Sequence, residues 1–186
     1  VGVKGASLVR VGDDSVAKYP GLTISGGTFT QDNFIVIKVD RGTFYLKEDG
    51  TLNSKNSYAV ENWKFAEIKG GTVSGGHNSD LTISGGTVNG NVLSVNYGSA
   101  EGKVAKVSIT GGTVNGALDT RSYDPSTNEL TSIDDATKAT IAVTGGTFSS
   151  DPTKYVVEDS AINKNDDGTF GVAKAYLAKV GDTSYY

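Results

Sequence analysis

Two ten-residue segments of the chain are nearly identical: residues 81–90 read LTISGGTVNG and residues 107–116 read VSITGGTVNG. Further segments share their pattern, an apolar–polar–apolar triplet followed by a Gly-Thr step and another apolar residue. They lie at 22–30, 44–54, 65–75 and 141–150. The glycines that precede the threonines recur at a mean interval of about 24 residues, which is typical of solenoid repeats.

Each copy predicts two short strands separated by a tight bend. The triplet alternates apolar and polar residues as a half-buried strand does, Gly-Gly permits the bend, and the segment after Thr is a second strand. A third strand is predicted at 33–39, 57–62 and 91–97. Because one such turn cannot bury its own apolar residues, successive turns must stack in register. We therefore predict an all-β fold, a parallel β-helix (β-solenoid) of about five to six turns.

An antiparallel sandwich also uses many short strands with turn signals, and it is the main alternative. Stacking explains better why a threonine recurs at the same point of each copy. In the stacked arrangement the triplets form two adjoining buried columns, and the residues after the threonines line the next face. The predicted core residues are Leu22, Ile24, Leu46, Ile68, Leu81, Ile83, Val107, Ile109, Ile141, Val143, Val88, Val114 and Phe148.

The ends of the chain depart from the repeat. Residues 1–21 are predicted to form an N-terminal cap or irregular first turn, and residues 22–153 the β-solenoid repeats. Residues 154–175 are predicted to form a C-terminal β-hairpin cap, because an uncovered stack would expose strand edges. Residues 176–186 are expected to start a linker or the next module. An insertion at 124–139 is expected to leave the stack after a third strand.

Composition excludes several classes of function. The 186 residues carry a formal net charge of -4 and no Cys, which argues against nucleic acid as a partner and against disulfides or a thiol nucleophile. No apolar run is long enough for a membrane helix, so no membrane insertion is expected. The chain begins at Val1 without Met, and we expect a mature fragment or an excised piece of a longer protein.

No catalytic or metal motif stands out, and neither a cofactor nor a metal is expected. His77 lies in a polar corner without a nucleophile motif, and residues 163–168 imitate a calcium loop only in part, because Lys174 occupies the position that needs a Glu. Adjacent acids on a strand point to opposite faces, so they do not converge. Such pairs are Asp13-Asp14, Asp134-Asp135 and Asp166-Asp167.

Two columns of polar residues have two interpretations. Asn53, Asn89 and Asn115 share one corner and are expected to form a ladder of side-chain amides along the stack. The recurring threonines could instead form a flat array that orders water. The second threonine column that this array needs is incomplete, since it reads Thr23, Thr82, Ser108 and Ala142.

Aromatic residues mark the most promising surface. Trp63, Tyr97 and Tyr123 occupy equivalent positions after the third strand, and a column of exposed rings suits sugar rings. The alternative is that these rings shield a corner of the core. Neighbouring polar residues could bond sugar hydroxyls; they are Asn62, Asn96, Asp119, Arg121 and Asp124.

The phrases ISGGTF, VTGGTFSSDPTKYV and KNDDGTF resemble the right-handed parallel β-helix repeat regions of large secreted or cell-surface proteins of Gram-positive gut bacteria. The resemblance implies a right-handed helix, an extracellular, cell-surface or cell-wall location, and contact with a glycan, a host surface protein or neighbouring modules of the same chain.

A regular repeat without concentrated chemistry favours a non-catalytic structural or display module, which could be adhesive. A carbohydrate-binding module that uses the aromatic column is the first alternative. A polysaccharide lyase or hydrolase of the β-helix type is the second, and it would require acids of neighbouring turns to converge on one face.

Overall fold

The computed structural model describes residues 7–12, 20–62, 65–68, 70, 72–77, 81–98, 104–175, 178–180 and 183–185. Apart from a 3₁₀ turn over Thr153–Tyr155, the regular structure of these residues is β-strand. In chain order the strands are β1 (Val9–Val11), β2 (Gly21–Gln31), β3 (Ile37–Val39), β4 (Thr43–Asn62), β5 (Phe65–Ile68), β6 (Thr72–His77), β7 (Leu81–Ile83), β8 (Thr87–Asn89), β9 (Val92–Asn96), β10 (Ala105–Val114), β11 (Leu118–Asp124), β12 (Glu129–Ser132), β13 (Ala139–Phe148), β14 (Ser160–Lys164), β15 (Phe170–Lys174), β16 (Ala178–Val180) and β17 (Thr183–Tyr185).

Strands from successive repeats pair side by side in three parallel ladders, which we call the first, second and third faces. The first face stacks segments 21–24, 43–46, 65–68, 81–83, 107–109 and 139–143. The second stacks segments 28–31, 51–54, 72–74, 87–89, 113–114 and 147–148. The third stacks segments 9–11, 37–39, 60–62, 92–96 and 118–122, and residue 77 lies between segments 60–62 and 92–96. The parallel β-solenoid is therefore confirmed over the antiparallel sandwich.

The register agrees with the repeat in detail. Leu81 pairs with Val107, so the two nearly identical segments lie side by side as predicted. Two glycines of the bend have positive φ, +85° at Gly112 and +117° at Gly146, a conformation that other residues adopt with strain. Only glycine allows the backbones of neighbouring turns to approach so closely at this bend.

Fewer turns are complete on all three faces than the five to six that we predicted. The copy at 65–77 reaches the third face only with its last two residues: Gly76 pairs with Tyr58, and His77 pairs with Val60 and Val92. The last copy, β13, continues into no parallel third strand within the described residues. The short interval between Gly71 and Gly86 explains the first deficit, because it leaves too few residues for a third strand.

The predicted core is buried, with one difference. Ile24, Ile83 and Ile109 belong to the first-face column, and Val88 belongs to the second-face column. Leu22 is only half-buried, whereas Ile24 of the same strand is buried. The other predicted residues are also buried: Leu46, Ile68, Leu81, Val107, Val114, Ile141, Val143 and Phe148.

Antiparallel strands close the C-terminal end of the stack. β15 pairs with β13 on the second face, and β14 pairs with β15, so the predicted C-terminal hairpin is present. The insertion at 124–139 contains β12, which folds back onto β11 as an antiparallel neighbour on the third face. These strands cover the backbone groups of the last parallel strands, which would otherwise be unpaired.

The segments outside the repeat are also partly described. β1 of the predicted N-terminal cap pairs with β3 and joins the third face. β16 and β17 form a separate antiparallel pair. The domain boundaries at residues 21, 153 and 175 remain predictions.

Candidate functional site

The predicted site lies at the end of the third face, where β11 turns into β12. Because strand residues alternate in direction, Asp119, Arg121 and Tyr123 share the outer side of β11, while Thr120 is buried between them. β9 lies beside β11 with Asn96 opposite Ser122, which places Tyr97 next to Tyr123.

Tyr97 and Tyr123 are in contact, as the gapless alignment of their repeats predicted. Their ring centroids are 5.5 Å apart and the ring planes are tilted by 49°. The Tyr123 hydroxyl donates a hydrogen bond of 2.9 Å to Asn128 Oδ1 in the turn before β12. Both rings are half-buried. Because the rings are not coplanar, a sugar can stack on one ring at a time and not on a continuous platform.

Asp119 joins β11 to β12. Its Oδ2 accepts hydrogen bonds from Arg121 Nε at 2.8 Å and from Ser132 Oγ at 2.6 Å. Partial burial raises the pKa of Asp119, but the hydrogen bonds from Ser132 and Arg121 outweigh it and hold the pKa below its ordinary value. The carboxylate therefore stays ionised and is already engaged by two donors.

Asp124 and Asn96 also serve local structure. Asp124 Oδ1 accepts from the backbone N–H and the hydroxyl of Ser126 at 2.8 and 2.6 Å, and these bonds lower the pKa of Asp124. Asn96 donates to the Lys138 carbonyl at 3.0 Å and accepts from the Gly98 N–H at 2.7 Å. Both side chains hold turns, so neither projects free polar groups as a sugar site requires.

Asn62 is not part of this corner surface. Its side chain is fully buried, in a strand position that pairs with Val39. Trp63 lies outside the described residues. The structure therefore brings Tyr97 and Tyr123 together with the predicted residues of β11, which are Asp119, Arg121 and Asp124. Asn62 does not belong to this group, because alternation along β4 points its side chain inward.

Sequence reasoning missed Asn128 and Ser132, which the insertion supplies to the corner. Residues 129–132 read ELTS and do not alternate polar and apolar residues, so the sequence carried no local signal for this strand. A second omission is Lys154, whose Nζ lies 3.3 Å from Asp134 Oδ1. This contact raises the pKa of Lys154, with smaller contributions from Tyr155 and Asp119.

Within the described residues, neighbouring acids are engaged by separate partners. Asp134 pairs with Lys154, whereas Asp135 Oδ1 accepts from the backbone N–H and hydroxyl of Thr137. Asp167 Oδ1 accepts in the same way from Thr169, inside the turn of the C-terminal hairpin. Asp13, Asp14 and the side chain of His77 lie outside what the structure describes. Among the described residues, no three His, Cys, Asp or Glu side chains gather closely enough to hold a metal ion.

Two polar columns run along the exterior of the second face. Thr87, Thr113 and Thr147 pair in register and form one column. Asn89 and Asn115 lie two positions further along their strands and belong to the second column. Asn115 Nδ2 donates to Asn89 Oδ1 at 2.7 Å, as the predicted amide ladder requires. Asn53 is separated from Asn89 by position 74, so the ladder of asparagines is interrupted. Backbone pairing sets two rows in register: the first contains Thr28, Thr51, Thr72, Thr87, Thr113 and Thr147, and the second contains Thr30, Asn53, Ser74, Asn89, Asn115 and Ser149.

Comparisons with models of protein families, with curated proteins and with solved structures find no match to this chain. In the part of the chain that the structure describes, there is no helix long and apolar enough to span a membrane.

We predict that Asp119→Asn flattens the acid limb of the stability profile. Folding lowers the pKa of Asp119. The contribution of Asp119 to the free energy of unfolding is therefore complete above the ordinary pKa, and it is lost as the pH falls through the lowered value. Below about pH 4, wild-type stability should therefore fall more steeply than that of the variant. Urea unfolding at several pH values measures this difference. Asp166→Asn, in an exposed turn, controls for net charge, and equal slopes in all three proteins would contradict the prediction.

Proposed function

We propose that the chain is a non-catalytic extracellular module of a bacterial surface or cell-wall protein, and that its primary role is to display neighbouring modules at a distance. The observation that carries the proposal is the continuous parallel ladder of the first two faces around one aliphatic core. Each interior strand is held by its neighbours on both sides, which makes such a stack a stiff spacer. An adhesive role toward a glycan or host surface protein is compatible with this arrangement.

The electrostatics of the corner favour display over catalysis. A glycosidase acid must hold its proton near neutral pH, so its pKa must be raised. The pKa values of Asp119 and Asp124 are instead lowered, by hydrogen bonds that serve β12 and the turn before it. This state of the carboxylates supports the non-catalytic proposal over a hydrolase or lyase that would use them.

A distance measurement between spin labels tests the display proposal. The chain has no Cys, so Thr30→Cys and Ser149→Cys give two unique labelling sites on one exposed column. Five strand spacings of ~4.8 Å separate these positions, roughly 24 Å along the axis before the label arms are added. A stiff module predicts one narrow distribution at that distance. A broad distribution, or turnover of a polysaccharide by the purified protein, would contradict the proposal.

Carbohydrate contact at Tyr97 and Tyr123 is the second candidate function. The half-buried ring pair beside Arg121 is the observation that favours it. Tyr97→Ala combined with Tyr123→Ala should weaken retention on glycan-loaded gels and leave the β-sheet circular dichroism unchanged. Tyr123→Phe, which keeps the ring but loses the bond to Asn128, should retain binding. Unfolding of the double variant would show that the rings shield the core instead.

A further inference from the structure

An open groove of about 580 Å³ lies on the exterior of the second face, where the solenoid meets the C-terminal hairpin. Four neighbouring strands contribute to it, in the spatial order β10, β13, β15 and β14. The groove therefore runs across the strands and along the axis of the solenoid. The residues that matter below are Gly112, Gly146, Thr147, Asn163 and Gly171.

One cross-strand row explains why the groove is open. Thr113 pairs with Thr147, Thr147 with Gly171, and Gly171 with Asn163. Gly171 carries no side chain between the two polar residues, and a Cβ built there would meet no atom closer than 3.8 Å. The position has room for a larger residue, so the gap in the row is open space and not close packing.

Hydrogen-bonding groups border this gap. On one side lies Thr147, whose hydroxyl makes no hydrogen bond within the part of the chain that the structure describes. Asn163 Nδ2 donates to Asn165 Oδ1 at 3.2 Å, and Asn165 Nδ2 donates to Thr169 Oγ1 at 2.9 Å. This chain of bonds orients the Asn163 amide and leaves its Oδ1 as an acceptor at the groove. Polar groups held in place before binding cost less entropy when a ligand arrives.

The lining selects a class of ligand. No charged side chain lines the groove, and the chain as a whole is acidic, so an anionic polymer is disfavoured. A peptide that adds to a sheet must run along the strands to use their backbone groups, whereas this groove crosses them. A chain that lies across strands must bring donors and acceptors of its own along its length. Successive sugar hydroxyls meet that requirement, and they would face the Thr hydroxyls and the Asn163 amide.

We infer that this groove is a binding site for a neutral polysaccharide chain laid along the solenoid axis, at a place separate from the tyrosine pair. The threonine column continues the row of hydroxyls beyond the groove, through Thr87 toward the N-terminal end. Each contact is shallow, and affinity comes from repetition along the chain.

Affinity electrophoresis and pull-down with neutral polysaccharides test the inference. The probes are cellulose, chitin, xylan and laminarin, with polygalacturonate as the anionic comparison. Thr147→Val replaces the hydroxyl with a methyl group of equal size, Asn163→Ala removes the amide, and Gly171→Leu fills the groove. Thr131→Val, on the exposed strand β12, is the matched control. Each variant is first checked by circular dichroism and thermal unfolding.

We expect the wild type to be retained by at least one neutral probe and not by polygalacturonate. Gly171→Leu, and Thr147→Val combined with Asn163→Ala, should each weaken retention at least tenfold, while Thr131→Val does not. The groove variants should weaken the remaining retention further in the Tyr97→Ala/Tyr123→Ala background, which separates the groove from the corner site. Retention by no neutral probe, retention that the groove variants leave unchanged, or binding to the anionic probe alone would overturn the inference.

Discussion

Replacement of Ile109 by alanine is expected to lower the free energy of unfolding by about 2–5 kcal/mol. Ile109 is fully buried, and its strand neighbours on the two sides are Ile83 and Val143, which are also fully buried. Removing the side chain leaves a cavity between two turns that cannot approach each other, because the backbone ladder sets their separation. The lost burial is therefore not recovered by collapse of the neighbours.

Chemical denaturation followed by circular dichroism measures this loss. Ser108→Ala is the matched control, since residue 108 precedes Ile109 on the same strand and points outward, half-buried. That variant should change stability by less than about 0.5 kcal/mol. A comparable loss in both variants, or no loss in Ile109→Ala, would mean that the inward and outward sides of β10 are assigned wrongly.

Gly112→Ala is expected to cost about 2–5 kcal/mol, because two penalties act at this position. The backbone φ of +85° is strained for any residue with a Cβ. An added Cβ would also lie 2.8 Å from the carbonyl oxygen of Gly85 and 2.9 Å from that of Gly86. These oxygens belong to the backbone of the preceding turn and cannot rotate away. Relief would require the two turns to move apart and to weaken their ladder.

Gly168→Ala separates the two penalties. Gly168 has nearly the same φ, +84°, but no atom lies within 4 Å of a Cβ built there. Its replacement should cost only the conformational penalty, about 1–2 kcal/mol. Equal losses in Gly112→Ala and Gly168→Ala would show that close stacking at the bend contributes nothing.

The C-terminal strands have a consequence for assembly. β12 and β15 run antiparallel to the strands that they cover, so a further parallel turn cannot be added directly to the end of the second or third face. Without these strands, the last repeat would expose strand edges whose register matches that of another copy of the chain. Such exposed edges can pair with strands of other molecules in an uncontrolled way. Display through such a module therefore requires the chain to leave the stack after the hairpin.

The sequence by itself determined the solenoid and its register. Alternation within each triplet identified Ile83 and Ile109 as buried, and the Gly-Thr step aligned Thr87 with Thr113. These features repeat in every turn, and each depends on neighbours close in the chain. Local patterns were sufficient because one turn is stabilised by the next copy of the same pattern.

The tertiary structure alone decided the state of the corner and the groove. The inward direction of Asn62 depends on the path of the long strand β4 as it enters the third face. Asp119 accepts a hydrogen bond from Ser132, 13 residues further along the chain, because β12 folds back onto β11. Gly171 meets Thr147 only through the antiparallel pairing of the hairpin. The contact of Ser132 with Asp119 and that of Gly171 with Thr147 depend on pairing between segments that share no repeated pattern, so the spacing of the repeats could not predict them.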